Sequence, residues 1–440
     1  MARRDLPEHL DQLRNLGIGR IDLVVVNLYP FEATVARPDC TWEEAIENID
    51  IGGPSMIRAA AKNYEAVTVV VDPEDYPLVL QELRTQGEVS RSTNARLAQK
   101  AFALTARYDG AIAMFLGSWA NGQRQPFPTT FHLTLPKAQE LRYGENPHQQ
   151  AALYGQFLNC VEHLHGKELS YNNIVDIHSA LALMLEFIGH SQACVAILKH
   201  NTPCGVGCGP DDVTAYRRAF ATDPDSPFGG ILISNRTWSL QLAREVDEIF
   251  TEVLIAPDFA PDALDLLRRK KNRRLMRWRV EATPRDEWDI RGVFGGLLVQ
   301  ERDRAMEDPR AGQVVTQRSP TDAEYEAMAF GLKVVKHVKS NAIVFCRGDA
   351  TLAIGGGATS RVDPVYAARA KAQRVGVDLR GSVLASDAFF PFPDGVEVAA
   401  EAGITAVVQP GGSVRDQDVI AAANRLGLAM VFTGVRHFRH

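Results

Sequence analysis

Lys199 and His200 directly follow the short apolar run at residues 195–198. A lysine at the end of a buried strand loses basicity on desolvation, and an imidazole titrates near neutrality, so the two form a candidate proton-transfer pair. A solvated strand end fits the same residues, and spacing alone leaves both readings open. Just downstream, Pro203-Cys204 and Cys208 separate two thiols by three residues. Zinc deaminases combine a Pro-Cys-x-x-Cys run with a His-x-Glu. Here the cysteine spacing is longer, and none of the 11 histidines is followed two places later by glutamate. No catalytic metal is expected.

Three further segments carry chemistry-bearing residues. Gly355-Gly356-Gly357-Ala-Thr-Ser360-Arg361 lets backbone amides approach an anion and adds a guanidinium that can grip it in a fork. The spacing matches neither phosphate-binding fingerprint, and a tight turn explains the glycines equally well. Phe389-Phe390-Pro391-Phe392, after Ser386-Asp387, can wall a flat heterocycle or simply fill a core. The segment from Arg142 to His148 is too polar for a core strand and too short for a helix, and reads as a binding loop.

The elements that must position these residues are short apolar strands opening into polar or glycine-rich turns. Such runs occur at 195–198, 231–233, 253–255, 343–345, 352–354, 383–385 and 406–408. Strand ends of α/β sheets are where ligands gather. Nearer the N-terminus, β-branched runs at 21–28 and 66–71 read as strands of a parallel sheet. Helices are expected from the Thr41 capping box to about 49, from Pro54 to Lys62, over 73–83, and over 91–116. This block starts with no βα unit before its first strand. Residues 120–135 are polar, proline-containing and aperiodic, so a partial domain at 1–125 and a larger one at 126–440 are expected.

Composition narrows the class. The 440 residues, 45% apolar and 23% charged, suit a globular chain of two or three domains. A net charge of −6 provides no long-range attraction to nucleic acid or anionic lipid, so any anionic ligand must be met by local basic groups. Six cysteines without a regular framework suit a reducing cytoplasm, and neither a membrane-spanning run nor a signal peptide is seen.

Taken in order, Asn27-Leu-Tyr-Pro-Phe31, Ile49-Asp-Ile-Gly-Gly53, Arg58-Ala-Ala-Ala-Lys62-Asn63, Leu141-Arg-Tyr-Gly-Glu-Asn-Pro-His-Gln149, Lys199-His200, Lys339-Ser-Asn341, Thr359-Ser-Arg361, Ser386-Asp-Ala-Phe-Phe-Pro-Phe392 and the closing Arg436 to His440 form one pattern. The whole chain resembles the bifunctional AICAR transformylase/IMP cyclohydrolase family. The resemblance implies formyl transfer from 10-formyltetrahydrofolate to the amine of aminoimidazole carboxamide ribonucleotide (AICAR), then ring closure to inosine monophosphate. It implies a partial doubly wound, methylglyoxal-synthase-like domain followed by a duplicated cytidine-deaminase-like α/β transformylase domain without zinc. A homodimer is implied too, with no nucleic-acid or membrane partner.

The resemblance assigns catalysis to Lys199, His200 and Asn341, and substrate binding to Arg142, Tyr143, Glu252, Arg361, Phe389, Arg436 and His440. For the cyclohydrolase it leaves Tyr29, Asp50 and Lys62. The family's Ser/Gly/Thr-rich phosphate loop and its Lys-Thr-Leu-His-Pro segment do not occur. Met1-Ala-Arg-Arg resembles an internal stretch of longer relatives, which suggests a start set too late or a shortened chain; a protein reduced by loss is the alternative. Little cyclohydrolase activity is therefore expected from these residues alone. A nucleotide- or folate-binding remnant without turnover is the rival to an active transferase.

Overall fold

Burial along almost their whole length turns most of the apolar runs into strands, and helices close over the sheets they build. The computed structural model describes residues 2–120, 123–284 and 288–440. The chain divides into two units, Met1–Pro136 and Lys137–His440.

The first unit contains α1 (Pro7–Asn15), β1 (Leu23–Val25), α2 (Phe31–Val35), α3 (Trp42–Glu47), α4 (Gly52–Lys62), β2 (Thr68–Val70), α5 (Tyr76–Gln86) and α6 (Arg91–Gly117). The Thr41 hydroxyl accepts the Glu44 N–H and starts α3, and Ser90 caps α6 through the Thr93 N–H. Strands β1 and β2 pair in parallel, with Val24 opposite Val69. β2 is buried throughout: Val69 packs with Ile57 and Ala61 of α4 and Ala101 of α6, and Val70 with Val79 of α5 and Leu97 of α6. β1 keeps Leu23 and Val25 largely exposed.

The second unit contains β3 (Lys137–Leu141), β4 (Ala151–Tyr154), β5 (Val161–His165), α7 (Tyr171–Leu185), β6 (Ala193–Lys199), β7 (Thr202–Gly209), α8 (Asp212–Thr222), β8 (Gly230–Ser234), α9 (Leu240–Asp247), β9 (Thr251–Ala256), α10 (Pro261–Leu267), β10 (Arg274–Trp278), and the hairpin β11 (Trp288–Val293) and β12 (Gly296–Glu301). It continues with β13 (Gln313–Val314), α11 (Asp322–Val335), β14 (Ile343–Cys346), β15 (Thr351–Gly355), α12 (Asp363–Val375), β16 (Val383–Ser386), α13 (Asp394–Glu401), β17 (Ala406–Gln409), α14 (Asp416–Arg425) and β18 (Ala429–Phe432).

Two six-stranded sheets result, ordered β5-β10-β9-β8-β6-β7 and β13-β18-β17-β16-β14-β15. Each strand of the second order is the first shifted by eight. The directions also agree: an antiparallel hairpin at one edge, three parallel strands in the middle and an antiparallel strand at the far edge. The unit is thus a structural duplication. The edge strands β7 and β15 abut, with the Val206 N–H donating to the Thr351 hydroxyl at 2.9 Å. Residues of α7 and α11 join one face of both sheets in a single core, with Phe187 and Phe330 in ring contact at 5.7 Å.

Strand β7, Thr-Pro-Cys-Gly-Val-Gly-Cys-Gly, is poor in apolar residues yet mostly buried. Its glycines at 205, 207 and 209 alternate with larger residues, so all three face α8. A Cβ on Gly205 would lie 2.0 Å from the Ala219 carbonyl oxygen, and one on Gly207 2.4 Å from that of Ala215. The helix lies directly on the strand backbone, and only glycine permits that approach.

Candidate active site

The β6–β7 hairpin builds the first part of the site. Lys199 pairs with Thr202, which leaves His200 and Asn201 as a two-residue loop with φ of 52° and 63°. Two-residue hairpins favour positive φ at both loop positions because that twist matches the strands. His200 is exposed at the tip, and Lys199 Nζ donates to the Phe228 carbonyl at 3.0 Å. From α7, Asp176 accepts the Asn201 N–H at 2.7 Å. Burial pushes the Asp176 carboxyl above the usual carboxylate range, opposed by that hydrogen bond and by nearby His200.

Around this tip lie the starts of the parallel strands. Glu252, second residue of β9, accepts from Asn173 Nδ2 at 3.0 Å and from Arg274 Nη1 at 3.1 Å. Asn173 also accepts the Ser170 N–H in the capping box of α7, so one side chain starts the helix and holds the acid. Arg274, at the start of β10, further donates Nε and Nη2 to the Glu168 carbonyl at 3.0 and 2.9 Å. Burial holds the Arg274 guanidinium below its ordinary range; Glu252 opposes this and the nearby charge of Arg142 adds to it. Arg142 is exposed, stacks 4.8 Å from the Tyr143 ring and donates to its hydroxyl at 3.0 Å.

A second group gathers in the duplicate sheet beyond the C-terminal ends of β15 and β16, on the side of the hairpin tip because β7 and β15 meet antiparallel. Arg361 is buried, donates to Asp387, and reaches Asn341 Oδ1 at 2.5 Å. Asn341 Nδ2 donates to the Ala358 carbonyl at 2.9 Å. Asp387 also accepts from the Ser340 hydroxyl at 2.5 Å and the Ala342 N–H at 3.1 Å. Phe389 is half-buried beside this group in sequence, whereas Phe390 is wholly core. Arg436 is exposed and stacks 4.2 Å from the Phe438 ring. His440 is exposed, its ring 5.4 Å from Phe438 and its carbonyl accepting from Arg291 of β11 at 2.9 Å.

In the first unit, Asp50 Oδ1 accepts the Gly53 N–H at 2.7 Å at the start of α4, and the Asp50 N–H donates to the buried Tyr108 hydroxyl at 2.8 Å. Tyr29 and Lys62 are exposed.

Cys204 and Cys208 lie in one extended strand, about 13 Å apart at a strand's rise per residue, so they cannot grip one ion. Cys208 instead faces Cys194 across the β6–β7 ladder, and the two form a disulfide. His190 stands beside them, and the ligand atoms of the trio fall within 4.8 Å of one another. With the sulfurs bonded to each other, the trio offers no open thiolate.

Residues 60–371 match the AICARFT/IMPCHase bienzyme family, a span covering most of the chain. The chain belongs to the AICARFT/IMPCHase bienzyme family. Residues 2–55 match the MGS-like domain, the α/β block expected at the N-terminus. Among relatives of this bienzyme, the bifunctional purine biosynthesis protein PurH of Chloroflexus aurantiacus is 57% identical over 440 residues. The proteins of the same name from Acidithiobacillus ferrooxidans and Pelodictyon phaeoclathratiforme are 53% and 52% identical. Each alignment covers 100% of this chain and 85% of the relative.

Three residues of the groups described above were not singled out from the sequence: Asn173, Asp176 and Arg274. Asn173 and Asp176 sit inside an ordinary helical period. Arg274 lies in the basic run Arg268-Arg-Lys-Lys-Asn-Arg-Arg274, which reads as a solvated surface until its burial is seen. The usable signal was Ser170 three residues before Asn173, a capping pattern that places the helix start at the site.

Proposed function

We propose that this chain moves the formyl group of 10-formyltetrahydrofolate to the 5-amino group of AICAR, with Lys199, His200 and Asn341 as the reacting set. The amine is conjugated with its ring and is a weak nucleophile, so it must lose a proton as it attacks. His200 takes that proton as the new N–C bond forms. Lys199 stabilises the tetrahedral oxyanion and protonates the folate nitrogen as the old C–N bond breaks, and Asn341 holds the intermediate. The products are formylated AICAR and tetrahydrofolate. The observation that carries the reading is the hairpin tip: a lysine and a histidine side by side, one tethered and one free to meet a substrate.

Arg142, Tyr143 and Arg436 supply cations and a ring for the ribonucleotide phosphate and base. Glu252 presents an acid, while Arg361, Phe389 and His440 complete the nucleotide and folate pocket. The basic pair and the Asn341 group lie on the same side of the antiparallel β7–β15 contact and are linked through Asn201, Ser179, Arg439 and Ser340, which suits one shared pocket. Support for a homodimer comes from the β11–β12 hairpin, whose Phe294, Leu297 and Leu298 are exposed, since an isolated hairpin is marginal in water. Among the described residues no helix is long and apolar enough to cross a membrane. The reading carries a cytoplasmic location, small-molecule substrates, and no nucleic-acid or membrane partner.

Formyl transfer is tested with both substrates and the K199A and H200A variants, each expected to lose at least about a hundredfold in kcat; near wild-type rates in either would overturn the assignments. Ring closure with loss of water draws on Tyr29, Asp50 and Lys62. Conversion of formylated AICAR to inosine monophosphate tests it, and wild-type rates in Y29F, D50A and K62A would overturn those assignments.

A further inference from the structure

The loop that presents His200 holds two adjacent non-glycine residues in the left-handed region. Each costs about 1–2 kcal/mol relative to ordinary backbone, so such a pair persists only where its surroundings impose it. Asparagine and histidine are among the non-glycine residues found there most often, so the loop can reach this form but still needs partners to hold it. The closing Lys199–Thr202 pair sets the loop length but leaves the Asn201 N–H pointing out of the ladder.

That N–H is taken by Asp176 Oδ1 at 2.7 Å. A carboxylate accepting a backbone N–H makes a stronger bond than a neutral acceptor does. Asp176 itself cannot drift. It lies on α7, whose start is locked by the reciprocal Ser170–Asn173 bonds and whose inner face, with Ile177, Ala180 and Met184, is fully buried. One turn along, the Ser179 hydroxyl donates to Asn201 Oδ1 at 3.4 Å. If φ at Asn201 turned negative, its N–H would leave Asp176 and the His200 ring would swing with the peptide.

We propose that Asp176 is a positioning residue for formyl transfer, holding the His200-Asn201 loop in its left-handed form so that the imidazole is aimed before substrate arrives. It touches neither substrate and acts through His200. The proposal rests on the reading of His200 as the base.

The test compares kcat and KM for AICAR in the full-length wild type, D176A, D176S, D176N and D176A/N201G. D176A and D176S lack an acceptor that reaches Asn201. They are expected to lose about tenfold or more in kcat, with KM within about threefold, as small misplacements of a reacting group do. D176N keeps an oxygen in the same place and is expected to stay within about threefold of wild type. Glycine takes φ of 63° freely, so D176A/N201G is expected to recover at least about threefold over D176A. A kcat within about twofold of wild type in D176A or D176S overturns the proposal, as does a double variant no faster than D176A. D176S keeps the test open should D176A not fold. If H200A is as fast as wild type, the transferase reading fails; if H200A is slow and D176S fast, only the role of Asp176 fails.

Discussion

Arg439 donates through Nη1 to Nδ1 of the buried His337 at 3.1 Å, and this fixes the histidine's tautomer. An arginine has no acceptor, so Nδ1 carries the lone pair and Nε2–H donates to Glu186 at 3.2 Å. Burial depresses the His337 imidazole below its ordinary range, in keeping with a neutral ring. Arg439 also donates from Nη2 to the Ser179 hydroxyl at 3.3 Å, and its carbonyl accepts the Ser340 N–H at 2.8 Å. Through Ser179 the penultimate residue is linked to Asn201, and through Ser340 to the neighbour of Asn341.

Arg439→Ala removes both donors and leaves His337 Nδ1 without its hydrogen-bond donor. The expected cost is about 1–3 kcal/mol, the penalty for orphaning a buried polar group. Urea unfolding monitored on the second unit reads it, and an unchanged midpoint would show the contacts to be idle.

Arg274→Ala leaves Glu252 with Asn173 as its remaining hydrogen-bond donor among those described above. Its contribution is to orient the acid rather than to react, so KM for AICAR should rise about tenfold, about 1.4 kcal/mol, with kcat nearly constant. A fall in kcat at constant KM would instead put Arg274 in the chemical step.

His437 is buried between Asp303, 2.7 Å from Nδ1, and Glu307, 2.8 Å from Nε2. Burial disfavours the charged ring, but the two carboxylates outweigh it and hold the imidazole above its ordinary 6.5. A group whose folded value is raised contributes stability that is complete below the unfolded value and lost as pH rises through the folded one. The stability gap between wild type and His437→Gln should therefore be widest at or below pH 6.5 and narrow on the alkaline side. Asp303, held below its ordinary 3.8 by His437 despite burial, adds the opposite limb, lost as pH falls through its folded value. Melting temperatures of both proteins across pH check this, and a gap that widens with alkalinity would contradict the assignment.

Gly205→Ala forces a methyl carbon to 2.0 Å from a backbone oxygen of α8, which cannot be relieved by a side-chain rotation. The helix must lift from β7, at a cost of about 1–3 kcal/mol or more. Gly292→Ala, with nothing within 4 Å of the added carbon, should stay within about 0.5 kcal/mol. Equal melting temperatures for the two variants would contradict the close helix–strand contact.

Much of this protein is one-dimensional information. The runs at 343–345, 383–385 and 406–408 become β14, β16 and β17, each one residue longer at its C-terminal end, because continuous apolar residues in short stretches have no stable place but a buried strand. The helix expected over 91–116 spans Arg91–Gly117, since its cap and its period lie within one local stretch. Other expectations shifted for local reasons. The β-branched run at 21–28 is a strand only at Leu23–Val25, where β2 is there to pair with it. The helix placed at Pro54 begins at Gly52, after the Asp50 side chain has taken the Gly53 N–H. At the far end of the same logic stands β7. Weighed from the sequence only as a metal-ligand run and set aside, it is a buried strand, because its glycines serve a helix that the sequence does not announce as a neighbour.

The adjacency of Lys199 and His200 and the order of the motifs are written in the sequence, and it was the resemblance of those motifs that named the family. What the tertiary structure decided is who holds them. Asp176 meets Asn201 across 25 residues, Glu252 meets Asn173 across 79, and Arg439 meets Ser179 across 260. Those meetings follow from strand order and from which sheet end each chain segment reaches, and these depend on burying the whole core at once rather than on any local preference.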